Sequence, residues 1–210
     1  MRLSVLGVGG LLLLTSAAWL DGSYIMLKAG LAQHLISDSW ERSTAGEAIK
    51  PWPWADTWPV ARIRFKTEDL YVLAGAHGSA LAFGPGHVDG TAPPGTDGTS
   101  VVAGHRDTHF HGLEQLYPGD SIELQDNGKN WIDYVVKAVR IVDTRDEPGF
   151  LVSATDNRLI LVTCYPFDAI YPGGPLRYVV EAVLSSEPGE KTREVEERVD
   201  GTPTLISANG

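Results

Sequence analysis

Between Val60 and Leu184 the chain reads as a succession of short strands. Ala61, Ile63 and Phe65 alternate with Arg62, Arg64 and Lys66, the period of two that sends one set of side chains to a core and the other to solvent. Further strand-like runs are Leu70 to Leu73, Leu81 to Phe83, Ser100 to Gly104, Ser121 to Gln125, Trp131 to Val142, Arg158 to Thr163 and Tyr178 to Leu184. Turn-forming segments part them, among them Gly84-Pro85-Gly86, Ala92-Pro93-Pro94-Gly95, Asp126-Asn127-Gly128 and Pro172-Gly173-Gly174-Pro175. Helical periodicity is scarce after residue 40. Eight short strands leave backbone edges that must be paired or covered, so the pattern predicts an all-β domain closed, or nearly closed, into a barrel with only short helices.

The N-terminal part follows a different pattern. Leu3 to Leu20 is an uncharged apolar run behind Arg2 and ahead of Asp21, close to the length that spans a bilayer, and it predicts an N-terminal transmembrane helix. Ser16-Ala17-Ala18 offers small residues for a signal-peptide cleavage site, so a cleaved leader stays open as the alternative. Ile25, Leu27, Leu31 and Leu35 continue at helical spacing into a stem. A polar stretch from Ser37 to Lys50 then leads into Pro51 to Pro59, where prolines and tryptophans disfavour helix and central strand alike and suggest an arm packed on the domain. From Glu187 to Gly210 six acidic and three basic residues with few large apolar ones predict a flexible tail. The expected divisions are residues 1–22 for the anchor, 23–59 for stem and arm, 60–186 for the barrel and 187–210 for the tail.

Composition narrows the chemistry. With 210 residues, 43% of them hydrophobic, the chain suffices for one well-buried domain with extensions. A formal charge of -10 argues against a nucleic-acid partner. The single cysteine, Cys164, excludes an intramolecular disulfide and any multi-cysteine metal site. It ends the apolar run Leu159 to Thr163 and stands just before Tyr165-Pro166-Phe167, where proline hinders continuation of a central strand and a side chain is displayed toward a loop. A lone cysteine is commonly a small buried apolar residue. In an exported chain an accessible thiol meets oxidants, which favours a reactive role instead.

A reactive thiol needs a proton carrier and a donor for the oxyanion formed on attack at a carbonyl. His105 follows the strand-like Val101-Val102-Ala103-Gly104, and Arg177 opens the strand after the Pro172 to Pro175 loop. Consecutive strands tend to pair, so Arg177 and Cys164 are expected to face each other at the barrel mouth. The fixed, permanently charged fork of arginine suits an oxyanion. Asp107 and Thr163 stand next to these residues and are candidates to contact substrate or to fix the loops around it.

The blocks Val101-Val102-Ala103-Gly104-His105-Arg106-Asp107, Leu161-Val162-Thr163-Cys164 and Leu176-Arg177-Tyr178 resemble, in order and spacing, the signature motifs of sortases. Leu161 stands where a threonine usually falls. The Pro51 to Pro59 arm and Leu81-Ala82-Phe83-Gly84-Pro85-Gly86-His87 further resemble the class GN sortases of Gram-negative bacteria. The resemblance implies an eight-stranded sortase barrel, with Cys164 as nucleophile, His105 as general acid and base, and Arg177 as oxyanion stabiliser. It implies a cysteine transpeptidase that cleaves an LPxTG-like C-terminal sorting signal of a secreted protein and passes the acyl group to an amine acceptor, without a cofactor. With the anchor it places the catalytic domain on the periplasmic side of the inner membrane as a single-pass protein.

Other readings are open to the same residues. Water in place of the amine gives a hydrolytic cysteine endopeptidase. His105, His109 and His111, with a water or His87, lie close enough in sequence to share a metal ion in a metal-dependent hydrolase. A non-enzymatic β-domain could bind peptide or glycan through its tryptophans. No dense carboxylate loop suggests a calcium site.

Overall fold

The computed structural model describes residues 27–44, 47–147, 157–171 and 173–185. The apolar run Leu3 to Leu20, the tail after Glu187 and most of the segment joining the sixth and seventh strands lie outside these residues. No helix among the described residues is long and apolar enough to cross a membrane.

Eight strands form the domain: β1 (Pro59–Phe65), β2 (Glu68–Ala74), β3 (Gly86–His87), β4 (Thr99–Ala103), β5 (Ser121–Gln125), β6 (Trp131–Asp143), β7 (Arg158–Cys164) and β8 (Leu176–Leu184). They close into a barrel in the order β1-β2-β3-β4-β7-β8-β6-β5. Closure satisfies both edges of every strand, which explains how such short segments are stable. β1 shows the alternation read from the sequence, with Ala61, Ile63 and Phe65 buried between partly exposed neighbours. These three join Val102, Leu159, Leu161, Val180 and Ala182 in the barrel interior.

β7 is buried along its whole length between its end residues. Leu159 and Leu161 point into the barrel, whereas Ile160 and Val162 pack with Val101, Val142 and Val179 in a second apolar cluster. A strand alternates its faces, so this cluster lies on the outer surface of β4, β7, β8 and β6. Below it Glu181, 9% exposed, is paired with Arg140 and Arg158.

Two elements differ from the sequence pattern. Leu81 to Phe83 is not a strand: Leu81 ends a one-turn helix, Gly78–Leu81, and the third strand is Gly86–His87, inside a segment that reads as a turn. The cause is a backbone approach that only glycine permits, since a Cβ on Gly86 would stand 2.2 Å from the Gly75 carbonyl oxygen. The stem also differs. A helix, α1, covers residues 27–42 and so runs into the stretch that reads as polar linker. It packs through Ala32, Ile36, Ser39 and Trp40, while Leu27 and Leu31 of the apolar stripe are 73% and 57% exposed. The arm that follows touches the domain through Trp52, edge-on to Phe83, whereas Trp54 is exposed.

Candidate active site

β7 carries Cys164 at its last position, where burial gives way to partial exposure. On one side β8 runs antiparallel, and its register sets Cys164 opposite Arg177 and Thr163 opposite Tyr178. On the other side β4 runs parallel, with Ala103 beside Val162. The ladder continues past the end of β4, because Gly104 N–H donates to Val162 O at 3.1 Å. The Thr163 hydroxyl then donates to Gly104 O at 2.7 Å. His105 follows Gly104 directly, just past the end of this ladder, as Cys164 follows Thr163 at the end of β7. His105, Cys164 and Arg177 thus form a row across three neighbouring strand ends, although they are 59 and 13 positions apart in sequence.

The turn after β4 is built to present the histidine. His105 is exposed, and its carbonyl accepts the Phe110 N–H at 3.0 Å, closing the loop between them. Phe110 is fully buried and meets Phe65 at 6.4 Å. Gly104 lets the chain cross this ring, for a Cβ there would lie 2.7 Å from Phe110 Cδ2. A side chain at position 104 would therefore push out either the phenylalanine anchor or the histidine. Burial holds the His109 imidazole below its ordinary pKa, and the charge of nearby His105 adds to the effect.

Arg177 Nη1 donates to Gly174 O at 2.8 Å and to Leu176 O at 2.9 Å. These bonds tie the head of the side chain to its own loop and leave Nε and Nη2 without a hydrogen bond among the described residues. Of the two candidate substrate contacts, Asp107 is exposed in the turn after His105. Thr163 is 2% exposed and its hydroxyl is spent on Gly104 O, which fits a loop-fixing role. On the inner side of the same strand ends Tyr165, Phe167 and Tyr178 pack ring against ring, with His111 on the edge of Phe167.

Arg106 is the residue that sequence reasoning passed over. It stands in the quoted block beside His105, yet arginine is ordinarily a surface residue, and nothing in its type announces that it is 7% exposed here. Its Nη2 donates to Ala169 O at 2.9 Å and Tyr171 O at 3.1 Å, across the site in the β7–β8 loop. The metal reading finds no support in the geometry: His111 turns to Glu114 and Phe167, and no three His, Cys, Asp or Glu groups converge among the described residues.

Comparison with known proteins agrees with this fold. The sortase domain family matches residues 62–185. Sortase D of Bacillus subtilis is 32% identical over 112 residues, which are 53% of this chain and 56% of that protein. The chain thus matches only a little over half the length of that relative. Sortase A from Corynebacterium diphtheriae shares the fold with a TM-score of 0.57 at 23% identity, covering 74% of this chain and 78% of that one. A Clostridium perfringens sortase D5 transpeptidase superposes with a TM-score of 0.53 at 21% identity, covering 72% and 87%. The family match spans more than half of the chain and includes all three residues of the row, and the chain belongs to the sortase family.

Proposed function

We propose that this chain is a cysteine transpeptidase acting on a sorting signal. The observation that supports the reading is the pairing of Cys164 with Arg177 across β7 and β8, with His105 two residues past the end of the neighbouring β4. Cys164 gives its thiol proton to His105, its Sγ attacks the carbonyl carbon of a Thr-Gly-type bond, and Arg177 stabilises the tetrahedral oxyanion. The C–N bond then breaks, and His105 gives its proton to the departing amine, leaving a thioester on Cys164. An incoming amine, losing a proton to His105, attacks the thioester, and the thiolate leaves as the new amide forms. A thioester keeps much of the acyl activation, so the exchange needs no external energy source.

The substrate in this reading is a secreted protein with an LPxTG-like C-terminal signal. The apolar run Leu3 to Leu20 holds the enzyme in the inner membrane with the barrel on the periplasmic side, in keeping with the class GN resemblance of the arm and the Leu81 to His87 block. Incubating the wild-type chain with LPxTG-like peptides and a primary amine, followed by mass spectrometry, tests it. The expected products are a Cys164 thioester and an amide-linked transfer product. Cys164→Ala should lose both reactions to below about a thousandth of wild type while keeping its fold, since the change removes the nucleophile and little volume. Turnover that survives Cys164→Ala would refute the assignment.

A further inference from the structure

Arg106 immediately follows His105, and its buried guanidinium reaches across to the segment joining β7 and β8 through Ala169 O and Tyr171 O. Nη1 is also buried and has no acceptor among the described residues. No carboxylate pairs with this side chain there. A buried cation with only neutral acceptors is costly, and an apolar side chain of similar length can take such a place with little or no loss of stability. Stability alone therefore does not account for an arginine at this position.

The base of the segment it reaches is held by Tyr165 N–H to Leu176 O at 3.1 Å and Thr144 N–H to Pro175 O at 3.0 Å, but its tip, residues 168–171, has few other ties. Phe167 packs against the core. Beyond it Ile170 and Tyr171 are 90% and 82% exposed, and one long backbone bond, Ala169 N–H to Pro166 O at 3.4 Å, is the remaining main-chain link of the tip among the described residues. A guanidinium presents its donors in a rigid plane and loses less freedom per bond than a lysine would. We propose that Arg106 is a positioning residue, a clasp that holds the β7–β8 segment against the His105 turn and so fixes the wall of the site next to Cys164. The proposal rests on the assignment of Cys164 and His105 above. Its substrate touches that wall, and the clasp acts on the acylation step through the loop.

The test uses Arg106→Met and Arg106→Lys in the full chain. Hydrogen exchange of the peptide covering residues 165–171, thermal unfolding, alkylation of Cys164 by iodoacetamide and single-turnover acylation by an LPxTG-like peptide are measured on the same samples. Arg106→Met should exchange faster over 165–171 with its melting temperature little changed. Its acylation should fall about ten- to a hundredfold while alkylation stays within about twofold, as expected when positioning is lost and the thiol is not. Arg106→Lys should lie between it and wild type in both exchange and acylation. Unchanged exchange over 165–171 in Arg106→Met overturns the clasp. So does a melting temperature that falls together with equal losses of alkylation and acylation, the mark of a merely structural arginine. If Arg106→Met does not fold, the same comparisons on Arg106→Lys decide. A wild-type chain that is never acylated would refute the proposed function, and the exchange measurement would still judge the clasp.

Discussion

Arg177 uses one nitrogen, Nη1, on two carbonyls of its own loop, and this division of labour makes arginine hard to replace. Two contacts orient the plane and leave Nε and Nη2, which in the proposed mechanism donate to an oxyanion near Cys164, its partner in the β7–β8 register. Lysine keeps the charge but is a hydrated point on a flexible stem, unable to hold the loop and donate to the oxyanion in one fixed geometry. Arg177→Lys is expected to slow single-turnover acylation about a hundred- to a thousandfold, the usual loss for one oriented oxyanion donor. A rate within about threefold of wild type would mean that the side chain is an ordinary strand-end arginine, for which exposed contacts count little. At this scale the row itself was legible, because Cys164, His105 and Arg177 each close or open a strand-like run and carry scarce chemistry. The work of Arg106 and Phe110 was not. Both act through contacts with residues distant in sequence or in the turn's own fold, and neither burial nor a carbonyl partner is written in a residue type.

Strand β3 shows what a two-residue element can contribute. Gly86 pairs with Leu73 of β2 on one side and Ala103 of β4 on the other, and without it the barrel would open between them. The Gly75 carbonyl fills the space where a side chain would start. Gly86→Ala must therefore move backbone rather than a flexible side chain, and it is expected to cost at least about 1–3 kcal/mol, in the range of overpacked sites. Since Ala103 lies two residues before His105, the same change should also lower acylation. Chemical denaturation of the variant checks the first outcome, and an unchanged midpoint would show that β3 is dispensable. The seven longer strands were readable from alternation or apolar runs. β3 was not, because two residues carry no period and its Gly-Pro-Gly setting signals a turn. Leu81 and Phe83 supplied an apolar run of strand length that the structure spends on a helical turn packed beneath Trp52.

Over the whole molecule the barrel has two distinct ends. β7 runs toward Cys164, β8 returns, β6 runs toward it again and β5 away, so the β5–β6 turn lies at the end opposite the candidate site. The C-terminal part of α1 is fixed there. Trp40 is fully buried, its indole Nε1–H donates to Gln125 Oε1 at 3.3 Å, and Lys129 Nζ stands 3.3 Å over its ring. Lys129 also caps the helix by donating to Trp40 O. The sequence showed a stem helix but not how it docks: Leu27 and Leu31 of the apolar stripe are exposed, and the contact is made by Ala32, Ile36 and, from the polar stretch, Ser39 and Trp40. Trp40→Ala is expected to cost about 3–5 kcal/mol through the cavity and the lost ring contacts. That corresponds to a fall of roughly 6–20 °C in melting temperature for a chain of this size. Acylation measured well below the transition should nevertheless stay near wild type, since the damage lies at the far end from Cys164. A melt with a separate early step would show α1 undocking from a barrel that stays folded, and a single lowered step would show the two unfolding together. A loss of acylation at temperatures where the variant is folded would mean instead that the dock of α1 reaches the candidate site, and the separation of stability and chemistry between the two ends would fail.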